Sequence, residues 1–217
     1  GTTSSSIGGS ISVVASSTTA TSTTSTNSNI YFENGTCKCP NANVGDTATL
    51  SGDLYTVVDN TSIRTQVNIG NLNLCTTKVT DMSELFTGKN TFNSNISFWD
   101  TSNVTTMEGM FTNAKLFNQP IDSWDTSNVT DMTGMFSLAE AFNQDIGNWN
   151  TSNVTDMEEM FSSAEAFNQD IGNWDISKVE TLAGAFLESY AFNQPIGNWN
   201  TSNVTDMEDM FRLAQNF

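Results

Sequence analysis

The 217-residue chain carries 24 Asp and Glu against seven Lys and Arg, has no histidine and bears a net charge of −17. That balance makes nucleic acid a poor partner, since phosphate recognition needs the opposite sign, and the missing histidine removes the commonest general base and metal ligand together. No apolar run reaches the roughly 18 residues that a membrane-spanning helix requires, so the chain is expected not to span a membrane.

Residues 1–29 hold 18 Ser or Thr, no charged side chain and only scattered apolar residues such as Ile7, Ile11 and Val13. So little apolar surface cannot offset chain entropy, which is the composition of a linker or stalk. The β-branched Thr and Val also suit a second reading, an extended segment docked on an outer-membrane or surface-assembly partner. The chain opens at Gly1 and stops at Phe217 inside a repeat, so a piece of a longer protein is expected.

Residues 30–73 read as an N-terminal cap, a small β unit. TATL, then SGD, then LYTVV places a β-hairpin at about 47–58. Behind it Ile63, Val67 and Ile69 are available to cover the first repeat, whose apolar face an array would otherwise expose. The three cysteines are Cys37 and Cys39, in CKCP, and the distant Cys75. Three cysteines without histidine fall short of a four-ligand zinc site, so no metal centre is expected. A disulfide from Cys37 or Cys39 to Cys75 would tie cap to array. Residues i and i+2 share a strand face, so spacing leaves the partner open. Such a bond requires an oxidising, extracytoplasmic compartment.

Residues 74–217 are six 25-residue repeats, the last incomplete. Trp99, Trp124, Trp149, Trp174 and Trp199 recur at that period, and 12 of the 14 phenylalanines fall in two columns headed by Phe86 and Phe92. All nine methionines occupy two further columns. With the isoleucines from Ile96 to Ile196 they form the expected core, each large side chain contributing about 1.5–3 kcal/mol on burial. A strict period of this size predicts a repeat solenoid. Within a repeat, Met157, Met160, Phe161, Ala164 and Phe167 stand three and four apart, which predicts a helical turn started by Asp156. FNQDI then predicts a short parallel strand. The expected fold class is therefore an α/β, leucine-rich-repeat-like solenoid of short parallel strands with helical turns.

The run from Phe142 to Met157, FNQDIGNWNTSNVTDM, recurs from Phe167 and elsewhere in the array. It resembles the BspA-like surface repeat, a bacterial leucine-rich-repeat variant, and CKCPNANVGDTATLSGDLYTVVDN is similar to the cap preceding such repeats in secreted proteins of Bacteroidetes. The resemblance implies a secreted or cell-surface location and a role in adhesion or protein binding. It carries over no catalytic residues.

Phosphate loops, zinc-protease and EF-hand patterns are absent from the sequence, and a Ser nucleophile would lack a histidine. Carboxylate pairs such as Glu158 with Glu159 and Glu208 with Asp209 read as a solvated acidic face, so the chain is expected not to be an enzyme. The column Asp100, Asp125, Asn150, Asp175, Asn200 reads as turn capping, with Ca²⁺ held by stacked oxygens as the alternative. No other cofactor is expected. The sequons at Asn103, Asn128 and Asn153 read as structural ladder positions. Binding is assigned to Gln119, Gln144, Gln169, Gln194, Asp145 and Asp170, which would project between the inward Phe and Ile of each FNQDI strand. A row of amides at sheet spacing suits a glycan, a matrix component or a surface protein; it equally suits ladder hydrogen bonding between repeats. In the fifth repeat Lys178 interrupts a column of asparagines, and Ile176, Leu182 and Ala185 replace Thr, Met and Met. The expected function is thus a secreted adhesion module. The alternative is a structural spacer or a subunit of a larger surface assembly attached through residues 1–29.

Overall fold

The computed structural model describes residues 29–217. The segment read as a linker or docked strand, 1–29, lies outside the described residues apart from Asn29. The chain begins with two antiparallel hairpins. β1 (Tyr31–Glu33) pairs with β2 (Thr36–Lys38), and β3 (Thr47–Leu50) pairs with β4 (Asp53–Val57). Both turns place two left-handed residues in succession, Asn34 and Gly35 at φ 50 and 86, then Ser51 and Gly52 at φ 53 and 99. That conformation matches the right-handed twist of the flanking strands and explains why Gly follows a small polar residue in each.

α1 (Ser62–Asn68) links β4 to β5 (Leu74–Cys75), which runs parallel to β4 with Thr56 opposite Leu74. The Asp59 carboxylate starts the helix by accepting hydrogen bonds from the Thr61 and Ser62 amides at 3.2 and 2.8 Å. Ile63 and Val67 are buried against the array, but Ile69 is 72% exposed and covers nothing. It follows the last helical turn, so its side chain leaves the face that Ile63 and Val67 share.

The cap grips the array at several points. Cys39 and Cys75 form a disulfide, with Cα atoms 6.2 Å apart. The Cys37 amide donates to the Phe98 carbonyl at 2.8 Å, and the Phe32, Tyr55 and Phe98 rings meet edge to face. Below, the Asn60 Oδ1 accepts from the Thr80 and Asp81 amides at 2.8 and 3.1 Å, standing in for the repeat that the first copy lacks. Arg64 adds an ion pair to Asp81 and a bond to the Ser83 carbonyl.

The expected α/β leucine-rich-repeat-like solenoid, with short parallel strands and helical turns, does not form. The described residues hold two small sheets and a single α-helix, and that helix lies in the cap. Helix is stopped by two left-handed residues in every repeat. One column is Glu84, Gly109, Gly134, Glu159, Gly184 and Asp209; the other is Gly88, Asn113, Leu138, Ser163, Glu188 and Leu213. Each such residue breaks right-handed helix and closes a turn instead. Met110, Thr112 and Ala114 donate to carbonyls three residues back, at Met107, Gly109 and Phe111. The alternate amides point out of the repeat: Met107, Gly109, Phe111 and Asn113 donate to Asp131, Thr133, Met135 and Ser137 of the next copy at 2.7–3.0 Å. The three- and four-residue apolar spacing is therefore met by consecutive turns.

FNQDI is not a strand either. Parallel contact between copies is reduced to one bridged residue per repeat, Asp81, Thr106, Asp131, Asp156, Thr181 and Asp206 in series. At FNQDI the backbone amides of Asn143, Asn168 and Asn193 donate to asparagine side chains of the preceding copy and not to its backbone carbonyls, so no ladder extends.

The core is what the columns require. Rings of the Phe86 column stack 5.4–5.7 Å apart along the array, and those of the Phe92 column 5.7–6.1 Å apart. Inside each repeat the two columns also touch, Phe136 on Phe142 at 3.9 Å for instance. The indole nitrogens of Trp124, Trp149, Trp174 and Trp199 donate to the Ile96, Ile121, Ile146 and Ile171 carbonyls one turn back along the array, and that of Trp99 donates to Leu72 in the cap. Buried Thr76, Thr101, Thr126 and Thr151 donate their hydroxyls to the next copy at 3.0 Å. Among the described residues no buried side-chain polar atom lacks a partner, which removes the largest penalty such a polar interior could incur.

Candidate functional site

The glutamines assigned to binding do line up, but they are engaged in holding the repeats together. Gln119, Gln144, Gln169 and Gln194 donate through Nε2 to Asn93, Asn118, Asn143 and Asn168 of the preceding copy at 2.8–3.0 Å. The same asparagine Oδ1 atoms accept the backbone amides of Asn118, Asn143, Asn168 and Asn193 at 2.9–3.0 Å. Each asparagine thus receives two donors from its neighbour, and each glutamine carbonyl oxygen accepts no hydrogen bond among the described residues. Asp145 and Asp170 are exposed and accept from the Gly147 and Gly172 amides at 3.0 and 2.9 Å, which fixes the next turn.

Asp100, Asp125, Asn150, Asp175 and Asn200 each accept from the amide of the Ser two residues on, at 3.0–3.2 Å. Their geometry is that of turn capping. Hydrogen bonds from Ser177, helped by the nearby Lys178 charge, hold the Asp175 carboxyl below its ordinary range. Asp100 differs from the others in being buried. Burial alone would raise its proton affinity, but bonds from Lys38, Thr77 and Ser102 outweigh it and hold the carboxyl below the usual value. Asn103, Asn128 and Asn153 spend a side-chain N–H on the Thr77, Ser102 and Ser127 carbonyls, each at 2.7 Å.

Of the three cysteines, Cys39 is the one joined to Cys75. Cys37 is free and buried, and its thiol is pushed up to about 12 by burial, with the Asp100 charge adding to it. A thiol so disfavoured as thiolate is a packing residue and not a nucleophile.

The feature that sequence reasoning half missed lies in the fifth repeat. Lys178 stands in the asparagine column, and Glu180 stands where Thr80, Thr105, Thr130, Thr155 and Thr205 form another. Reading the threonine column in register would have found it. Lys178, Glu180, Thr155, Asn203 and Thr205 line an open recess of about 460 Å³. Lys178 does not reach Glu180; its ammonium donates along the array to the Asn153 Oδ1 at 2.6 Å. Asn203 donates to the Ser177 carbonyl at 2.6 Å and Thr205 to the Glu180 carbonyl at 3.1 Å. A smaller recess of about 110 Å³ sits beside α1, lined by Arg64, Asn68, Glu84 and Leu85.

A family model described as "Mycoplasma protein of unknown function, DUF285" matches residues 53–152 and 144–217. No curated protein and no solved structure matches the chain. The two matched stretches run from β4 through the whole repeat array, well over half of the sequence, and the chain accordingly belongs to the DUF285 family.

Proposed function

We propose that this chain is a secreted or cell-surface adhesion module that binds a surface protein, matrix component or glycan through solvent-facing positions of its repeats. The carrying observation is where the array departs from its own pattern. Inside, the fifth repeat exchanges Thr, Met and Met for Ile176, Leu182 and Ala185, all buried. Outside, it places an ammonium and a carboxylate around a recess, Glu180 in a column that is Thr in every other copy and Lys178 in one that is Asn in all but the first, where Lys78 stands. Buried exchanges keep the packing; an exposed exchange of this kind changes what the surface can recognise. The Cys39–Cys75 disulfide supports an oxidising, extracytoplasmic setting, and the resemblance to BspA-like surface repeats supports an adhesive role. The proposed role is non-enzymatic: Glu158, Glu159, Glu208 and Asp209 are all solvated.

Beads coated with the chain, offered to immobilised extracellular-matrix proteins and glycans, test the proposal. Retention on at least one surface that falls in the Lys178→Asn/Glu180→Thr variant is expected. Retention no better than that of uncoated beads would sink it and favour the second reading, a spacer. The spacer reading draws on the glutamine row, whose amide nitrogens serve inter-repeat bonds at 2.8–3.0 Å and not a ligand.

A further inference from the structure

We propose that the recess around Lys178 and Glu180 binds one residue of a neutral, polyhydroxylated sugar; this rests on the adhesive reading above and names its ligand class. Lys178 and Glu180 lie two residues apart with the fully buried Val179 between them. Lys178 lies in the turn that the Val179 amide closes on the Ile176 carbonyl at 3.0 Å, and with Val179 turned inward the side chains of Lys178 and Glu180 both line the recess. No ion pair joins them, because Lys178 is drawn to Asn153 in the neighbouring copy. Two of its N–H groups remain, and the Glu180 carboxylate accepts no hydrogen bond among the described residues. Thr155 donates its hydroxyl to the Thr130 carbonyl and Thr205 to the Glu180 carbonyl, both at 3.1 Å, so both oxygens keep lone pairs facing outward bonding. Asn203 keeps its Oδ1. The recess therefore offers donors and acceptors side by side with no net charge.

The class of ligand follows by comparing what each candidate would gain. An anion meets Lys178 but also the 20 acids that the array carries against five bases. A cation meets Lys178 and is better served elsewhere on so acidic a surface. An extended peptide would need backbone groups to pair with, yet the amides of Thr155, Glu180 and Thr205 are spent on the Thr130, Thr155 and Glu180 carbonyls at 2.8 Å. A vicinal diol needs none of these. One hydroxyl donates to Glu180 while its neighbour accepts from Lys178, and the remaining hydroxyls find Asn203 and the two threonines. The volume, about 460 Å³, lies within the range of small-ligand sites. No aromatic ring lines it, so binding is by hydrogen bonds alone and weak for a single sugar.

The test is an amide NMR titration of the isotopically labelled chain with the methyl glycosides of glucose, galactose, mannose and N-acetylglucosamine in turn. The expected result is saturable shifts confined to 153–155, 178–180 and 203–205 with at least one of them. Affinity should drop about tenfold or more in Lys178→Asn/Glu180→Thr, a variant that installs the Asn of four other repeats and the Thr of all five and so keeps the fold. Silence with all four glycosides overturns the proposal, as do shifts that survive in the variant. So does a response at these residues to a peptide of alternating Glu and Lys with none to the sugars. If beads still adhere to a matrix protein while the sugars are silent, only the sugar assignment fails; if adhesion is absent too, both fail.

Discussion

Replacing Gly134 by Ala, and Glu159 by Gly, decides between helix and turns at the same register position of successive repeats. In a helix, Gly134→Ala would stabilise by about 0.8–1.0 kcal/mol and Glu159→Gly would cost a similar amount. The structure demands the opposite signs. Both residues are left-handed, at φ 57 and 52. A Cβ on Gly134 would meet Thr112 Oγ1 at 3.7 Å and Ser137 Cβ at 3.9 Å, ordinary contacts that add no clash. What remains is the left-handed penalty of about 1–2 kcal/mol for a residue with a Cβ, offset by about 0.4–1 kcal/mol from the stiffer unfolded chain. Gly134→Ala should therefore destabilise by about 1 kcal/mol and Glu159→Gly stabilise by a comparable amount, with Glu159→Gln as the control for lost charge. Urea unfolding followed by tryptophan fluorescence measures both, provided the slope is unchanged so that midpoints can be compared. A higher midpoint for Gly134→Ala, or a lower one for Glu159→Gly, refutes the turn assignment.

Three further outcomes are expected. Replacing Cys39 and Cys75 together by Ala should cost about 4 kcal/mol, from the loop that their 36-residue separation closes; the same chain should show Cys37 unlabelled by iodoacetamide at mildly alkaline pH until it is unfolded, and native labelling would contradict its burial. Because the folded Asp100 carboxyl lies below its ordinary value, its contribution is complete above the unfolded carboxylate range and is lost as pH falls through the lowered folded value. Acid unfolding should thus be steeper below about pH 4 in the native chain than in Asp100→Asn, and superimposable curves would contradict the Lys38, Thr77 and Ser102 bonds. Gly147→Ala and Gly172→Ala would set a Cβ 2.5 and 2.4 Å from the backbone oxygens of Asp170 and Pro195, costing about 1–3 kcal/mol. Gly197→Ala meets nothing within 4 Å and should stay within about 0.5 kcal/mol of the native midpoint.

The period and the core columns were legible because burial selects residue type directly: the Phe, Met and Ile columns recur and are buried through the central copies. The local backbone was not legible, because inward side chains three and four apart are compatible with helix and with successive turns alike. A signal was nonetheless present in Gly109, Gly134 and Gly184, three glycines at one register position inside the supposed helix, where only a left-handed residue gains from losing its Cβ. FNQDI failed as a strand for a different reason. The asparagine of FNQDI carries the acceptor that a strand's carbonyl would supply, a substitution that apolar alternation does not reveal. The candidate site was half visible, since Lys178 interrupts the run of Asn103, Asn128, Asn153 and Asn203. Glu180 hides among acids unless the threonine column is aligned.

The near identity of the copies gives the chain a counting problem. Asn118, Asn143 and Asn168 offer the same two bonds to whichever copy follows, so a folding chain that skips one copy and pairs with the next still satisfies each local rule. Within the array only scattered one-off contacts, such as Lys115 with Glu140 and Lys178 with Asn153, help to set its phase. That task falls mainly to features that occur once: the Phe98 ring wedged between Phe32 and Tyr55, the Asn60 amide on Thr80 and Asp81, and the disulfide at Cys75. The cap is in this sense the origin from which the copies are numbered. The same indifference lets whole copies be gained or lost without retuning the junction, whereas a single inserted residue would break every column it crosses.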